Sequence, residues 1–323
     1  MKAIVRTEYG SADVLRLIDT ERPVPKSREV LVRVVAAGVD IGAWHLMTGT
    51  PAMARMALGP RAPRFAGVGG ELAGVVEAVG DEVTRFQAGD EVFGVGNGAF
   101  AQYAVAAESK LAHKPEPVPF ADAAVAAISG VTALQAVQQA RPAAGQTVLV
   151  LGASGGVGSF AVQIARSLGA HVTGAASGAK LDLVRSLGAD AVLDYTEVDL
   201  ADGSRRFDVV LDMGGNRPVS ILRRALSPRG TLVIVGGEGA GGPLGGFERG
   251  WGAALLSPFV RQRLIGLVSL TKAADLDRLA GLLEAGDVKP AIDRYYPLDE
   301  TPDAMRRLEA RQVRGKLVIQ VAA

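Results

Sequence analysis

The stretch VLVLGASGGVGSFAVQIARSLGA, residues 148–170, constrains the fold more than any other part of this chain. VLVLG (148–152) is too short for a helix and, rich in Val and Leu, reads as a buried strand. After the glycine turn, Val157, Phe160, Ala161, Ile164, Ala165 and Leu168 recur at helical spacing and set one apolar stripe against a sheet. Gly169 stands where a left-handed cap ends such a helix. A strand that turns through glycines into a helix opens a β-α-β unit.

The same grammar repeats downstream. HVTGAA (171–176) reads as a strand and KLDLVRSL (180–187) as a helix, which Gly188 stops before the strand AVLDY (191–195). FDVVLD (207–212), TLVIVG (231–236) and RLIGLVSL (263–270) supply further strands. Strands alternating with helices imply an α/β fold with a Rossmann-type, doubly wound parallel sheet. Upstream, short β-rich runs such as EVLVRVVAAGV (29–39) and GVVEAVG (74–80) end at a proline-rich joint, KPEPVPF (114–120). After Thr271 come the helix DLDRLAGLLEAG (275–286), another around 303–310, and a closing strand, KLVIQV (316–321). This predicts a β-rich domain built from 1–118 and 272–323, and a dinucleotide-binding domain over 119–271. The stretch GGEGAGGPLGG (236–246) reads as a flexible loop.

Length and composition agree with two domains. The chain has 323 residues, 48% of them apolar and 21% charged, enough to bury substantial cores. A net charge of +1 gives no field for nucleic acid or anionic membrane, and no basic-aromatic patch supports RNA binding. The first 30 residues scatter charges and contain no apolar signal core, and no run of 18 or more apolar residues follows. There is no cysteine, which removes disulfides and thiolate metal sites. The expected setting is cytoplasmic.

The glycine turn has a chemical reading beside a structural one. The literal G-x-G-x-x-G fails, because Ala153 takes the first glycine position in the register Ala153–Gly158. Its placement between a strand and a helix is nevertheless what a dinucleotide site requires. Missing side chains at Gly155 and Gly156, between Ser154 and Val157, let a pyrophosphate approach free N–H groups of these four residues at the positive helix end. The competing reading is a glycine corner used only for helix–sheet packing. An NAD site typically carries Asp or Glu about 20 residues on, at the end of the second strand. Here that strand ends Ala175-Ala176-Ser177-Gly178, without an acid. Ser177, Lys180 and Tyr195 can instead surround a 2′-phosphate, which favours NADPH over NADH. Lys180 can equally be a solvated helix-start residue.

The whole chain resembles the medium-chain dehydrogenase/reductase superfamily. The resemblance is carried by the MKAIV opening, GELAGVVEAVG (70–80), GDEVFGV (89–95), SGVTALQAV (129–137) and RGKLVIQV (314–321). It implies a GroES-like catalytic domain beside the Rossmann domain. The positions matching the catalytic zinc ligands of the superfamily's alcohol dehydrogenases are Asp40, Gly70 and Ser129, which make no zinc set. The three histidines, at 45, 113 and 171, have no metal-ligand spacing. The chain therefore looks like the zinc-free quinone oxidoreductase (zeta-crystallin-like) and enone reductase branch, in which an AxGGVG turn is usual. That resemblance further implies that Thr132 lies near the nicotinamide, and that Met213, Gly214, Gly215, Val235 and Gly236 line the cofactor's edge. It also implies a homodimer joined through the strand near 264–270, although burial within one chain is the alternative for that segment.

Without a metal, nothing strongly polarises a simple alcohol or ketone. A quinone, or a carbonyl conjugated to C=C, is an easier hydride acceptor because the charge spreads onto oxygen. The expected partner is such a small molecule. Candidate polar groups lie in VDIGAWHLMTG (39–49): His45 as a proton donor, Asp40 orienting a donor or holding the ribose, Trp44 as a pocket wall. Ser129 is a further candidate for the substrate pocket. His45 can also be an ordinary core or surface histidine, Trp44 a packing residue, and solvent the proton source. The loop 239–250 and the stretch 250–263 can close over the cofactor or be a surface excursion. Arg261 and Arg263 can sit near the cleft, although two arginines in a positive run read more readily as solvated. Two further functions stay open: a pathway-specific enoyl reductase acting on a carrier-bound or bulky substrate, and a non-catalytic NADPH-binding structural or regulatory protein.

Overall fold

The computed structural model describes residues 1–200, 202–215, 217–235 and 246–321. The chain begins with β1 (Lys2–Val5), β2 (Arg16–Asp19), β3 (Glu29–Val39), α1 (Ile41–Thr48), α2 (Arg55–Leu58), β4 (Glu71–Val79), β5 (Glu91–Val95), β6 (Tyr103–Ala107), β7 (Leu111–His113) and α3 (Phe120–Ala126). It continues through α4 (Ser129–Ala140), β8 (Thr147–Leu151), α5 (Gly156–Ser167), β9 (His171–Ala176), α6 (Leu181–Ser186), β10 (Ala191–Asp194), β11 (Phe207–Asp212), α7 (Val219–Arg224), β12 (Leu226–Ile234), α8 (Phe247–Leu256) and β13 (Arg263–Gly266). It closes with α9 (Ala273–Glu284), β14 (Ile292–Pro297), α10 (Thr301–Glu309) and β15 (Lys316–Gln320).

Two compact units result. The first comprises Met1–Val131, Thr271–Gly286 and Pro290–Ala323, and the second Thr132–Leu270 with Asp287–Lys289. The division falls inside α4, not at the proline joint. The reason is α3, whose Ala123, Ala124, Val125 and Ala126 are all buried and which packs on β3 and β4 of the first unit. An apolar helix with no exposed stripe goes where it finds a sheet face, whatever the composition of the loop before it.

In the first unit a sheet runs β14-β15-β3-β4-β5-β7, with β6 paired along β3. The long β3 organises it: its Val30, Val32, Val34 and Ala37 are buried, and join Leu72, Phe100, Leu111 and Leu317 in one core. The return of β15 beside β3 ties the C-terminal segment to the N-terminal one, with Val318 opposite Gly38.

In the second unit a parallel sheet runs β10-β9-β8-β11-β12-β13. β8 is central and fully buried from Val148 to Leu151, as its unbroken apolar run requires. Successive strands move outward on one side through β9 and β10, and on the other through β11, β12 and β13. The order therefore reverses between β8 and β11, and ligands of open α/β sheets bind at the carboxyl ends of strands at such a switch point. The strand expected over 263–270 is shorter: only Arg263–Gly266 pairs with β12. Leu267 adds one backbone bond to Ile234, and the segment then leaves the sheet, with Thr132 Oγ1 donating to Ser269 Oγ at 3.1 Å. Among the described residues, no single helix is long and apolar enough to cross a membrane.

Candidate active site

The glycine turn of the second unit is a cradle at the switch point. Gly152, at the end of β8, has φ +74°, a conformation that L side chains rarely adopt. Gly155 N-caps α5, and the first backbone bond into the helix runs from Ser159 N–H to Gly155 O. The amides of Gly156, Val157 and Gly158 thus precede the ladder, at the positive helix end. A Cβ on Gly158 would stand 2.1 Å from the Gly152 carbonyl, so glycine there lets the helix press against the turn. Gly158 serves packing, while Gly155 and Gly156 put no side chain on the turn. Ser154 and Ala153 are buried beneath them.

The neighbouring strand ends complete this edge. Met213 is buried just beyond β11, and a Cβ on Gly214 would meet nothing within 4 Å. Val235 N–H donates to Asp212 O at 3.0 Å, so Val235 sits at the same edge. Gly236, and the loop from 239 up to 245, lie outside the described residues. Asp212 was not singled out from sequence; buried at the end of β11, it pairs with Arg249 at 2.7 Å and accepts Gly215 N–H at 3.1 Å, which fixes the turn. These residues fit a dinucleotide's pyrophosphate.

Beyond β9, Ser177 leads into a single 3-10 turn, Gly178–Lys180, and Lys180 stands at the N-cap of α6 rather than inside the helix. Tyr195 follows β10 and is 46% exposed, and the Arg217 guanidinium donates to its carbonyl at 3.3 Å. Arg217 brings a cation that the sequence reading overlooked. The acid absent from the end of β9 has a counterpart at the end of β10. Asp194 is engaged by Thr196 and by the Gly178 backbone, hydrogen bonds that hold its carboxyl below the usual range.

The first unit carries a different constellation. Asp40 follows β3 and N-caps α1, its Oδ1 accepting Ala43 N–H at 2.8 Å. One carboxylate oxygen of this expected catalytic residue is therefore committed to the helix. Asp40 Oδ2, Trp44 Nε1 and His45 Nδ1 are all buried, with no hydrogen-bond partner among the described residues. Three such atoms on the first two turns of one helix are costly, roughly 1–3 kcal/mol each, and call for an occupant. Burial pushes His45 below the ordinary imidazole range, partly offset by the Thr50 backbone and by Asp40. Burial thus favours the neutral ring, which can offer a hydrogen bond.

Behind Asp40 lies a charge lock that spans three adjacent strands. Glu71 on β4 faces Gly38 on β3, and a Cβ on Gly38 would come within 2.3 Å of Glu71 Oε2. The missing side chain lets the carboxylate reach past β3 to Lys316 on β15, Oε2 to Nζ 2.5 Å. Oε1 accepts the N–H groups of Ile128 at 2.7 Å and Ser129 at 3.1 Å, and so caps α4. Lys316 Nζ also donates to Ser129 Oγ at 3.0 Å. An ammonium has no lone pair, so Ser129 must accept, which frees its own O–H to donate elsewhere. Burial raises Glu71 to about 7, against the opposing pull of Lys316 and with further elevation from Asp40. Sequence reading had quoted the segments holding Glu71 and Lys316 without giving either residue a role.

Residues 26–116 match the alcohol dehydrogenase GroES-like domain and residues 187–319 the zinc-binding dehydrogenase family. A quinone oxidoreductase of Pseudomonas aeruginosa is 34% identical over 98% of this chain and 99% of its own. The chain belongs to the quinone oxidoreductase branch of the medium-chain dehydrogenase/reductase superfamily. It is an oxidoreductase. A 2-methylene-furan-3-one reductase of Solanum lycopersicum is 32% identical, over 99% of this chain and 79% of the relative. The crystal structure of the Escherichia coli quinone oxidoreductase, complexed with NADPH, superposes with a TM-score of 0.84 at 25% identity, over 99% of this chain and 100% of that one. The donor set does not fit the zinc in the second family's description. The positions that the resemblance matches to zinc ligands hold Asp40, Gly70 and Ser129, and among the described residues no three His, Cys, Asp or Glu converge.

Proposed function

We propose that this chain is an NADPH-dependent, zinc-independent reductase of quinones or α,β-unsaturated carbonyls. The observation that carries the reading is the bare glycine cradle at the switch point of the second unit, with no carboxylate at the end of β9. Bound there, NADPH supplies a hydride. The amides of Gly156, Val157 and Gly158 hold the pyrophosphate, while Ser177, Lys180 and Tyr195 hold the 2′-phosphate, with Arg217 adding charge. Thr132 flanks the nicotinamide.

The first unit handles the acceptor. Ser129, its oxygen already accepting from Lys316, donates its hydroxyl proton to the acceptor's carbonyl oxygen and stabilises the charge that develops there. Trp44 Nε1 and His45 Nδ1 supply the remaining recognition, and Asp40 caps the helix that carries them. The names of the relatives, a quinone oxidoreductase and a 2-methylene-furan-3-one reductase, support this acceptor class. Without a Lewis acid, only acceptors that delocalise charge gain enough from hydrogen bonds alone. The protein acts as a homodimer through the edge of β13, where Val268 and Leu270 are 59% and 62% exposed just beyond the strand.

The test is NADPH consumption by the purified protein with a simple quinone and a 2-alkenal in parallel, NADH serving as the paired control. Rapid loss of NADPH with one acceptor, and little with NADH, is expected. Tight NADPH binding with no turnover on either acceptor would overturn the reading.

A further inference from the structure

The second unit carries a concentration of arginine that the cradle does not use. Arg206 precedes β11, Arg223 and Arg224 end α7, and Arg261 precedes β13. With Ser220 and Gln262 they line one depression of about 500 Å³, and among the described residues no carboxylate joins them. None of the four guanidiniums belongs to an ion pair among the described residues. The chain as a whole is balanced, 35 basic residues against 34 acidic, so four cations without an acid are a local arrangement.

Part of the cluster is organised. Arg223 Nε donates to Gln262 Oε1 at 2.9 Å, and Gln262 Nε2 returns a bond to Arg223 O at 2.9 Å. Arg206 Nη1 is tied to Leu226 O at 3.2 Å. The carboxyl end of α7 attracts cations, which would account for Arg223 and Arg224. It does not account for Arg206 and Arg261, which arrive from two other segments. Four like charges gathered by three segments repel one another unless an anion sits between them. Planar guanidinium forks match phosphate oxygens two at a time. A concave site of this volume suits a small molecule rather than a polymer laid along a groove.

We propose that this depression is a binding site for a phosphorylated small ligand, with a diphosphate group gripped by Arg224 and Arg261 and flanked by Arg206, Arg223 and the Ser220 hydroxyl. It lies at the amino ends of β11, β12 and β13, whereas the cradle lies at the carboxyl ends of the same sheet. The length of β11 alone separates the two edges by roughly 17 Å. The ligand is thus a second one, independent of the nicotinamide cofactor.

The probe is inorganic pyrophosphate, titrated at fixed ionic strength, and with the cradle saturated by NADPH, into the wild-type chain, R224A/R261A and K180A, with heat and thermal transition both recorded. Arg224 and Arg261 are exposed, so their removal leaves the fold intact. The expected result is saturable one-to-one binding with a dissociation constant below about 1 mM. R224A/R261A weakens it at least about tenfold, and K180A leaves it unchanged. Equal binding by wild type and R224A/R261A, loss of binding in K180A alone, or effects that sodium sulfate reproduces at matched ionic strength would each overturn the proposal.

Discussion

Lys316 Nζ lies 2.5 Å from Glu71 Oε2 in the interior of the first unit, the two side chains being 2% and 0% exposed. The pair joins residues 245 apart in sequence and connects β15 and β4 across the bare backbone of Gly38. Removing one partner strands a charge without solvent. K316M should therefore lower the stability of the first unit by about 3–5 kcal/mol. E71L/K316M, which removes both charges, should recover most of that loss. Chemical denaturation of the two variants beside wild type measures the difference, and a K316M cost within about 0.5 kcal/mol would show the pair to be idle.

The same pair sets a pH dependence. The Glu71 carboxyl is raised from 4.5 to about 7 in the fold, mainly by burial. Below pH 4.5 both folded and unfolded chains hold the proton, and the contribution to stability is complete. As pH rises, the unfolded chain releases it first, so stability is lost progressively until Glu71 ionises in the fold near 7. Wild type should accordingly lose stability relative to E71Q between pH 4.5 and about 7, then run parallel to it. Curves parallel throughout would contradict the assignment.

Ser129 should matter to turnover more than to folding. S129A removes a donor directed at developing charge, and should reduce kcat/KM for a quinone by about 10–100-fold, chiefly through kcat. K316R keeps a cation beside Ser129 and should retain more activity than K316M at equal folded fraction. Steady-state kinetics on the three variants decides this.

Cofactor choice should rest on the edge beyond β9 and β10. K180A and R217A should each raise the KM for NADPH by about tenfold and leave that for NADH nearly unchanged. A parallel loss for both cofactors would mean that these cations hold something other than the 2′-phosphate.

The parallel sheet was readable because its signals are local: β8, α5 and β9 fall where apolar runs, helical spacing and stop glycines put them. The prolines of 114–120 mark a change of composition, whereas the compact units divide after Val131, because what assigns α3 is the sheet face it covers. Glu71 and Lys316 were invisible for a similar reason. The first acid of ELAGVVEAV and the lysine of KLVIQ each look like strand-end charges, and only the pairing of β15 and β4 with β3 brings them together. Asp40 looked catalytic and turned out to spend one oxygen on a helix cap, a role its position before Ile41–Thr48 could have suggested. Arg261 is exposed, as a solvated residue is, and its neighbours in the basic depression come from segments near 206 and 223.

The most direct test of the account is NADPH oxidation by a quinone after exhaustive chelation of divalent metal, with NADH run alongside. The account predicts an undiminished rate with NADPH, at least about tenfold above that with NADH. No oxidation of NADPH, or loss of activity on chelation that added zinc restores, would contradict it.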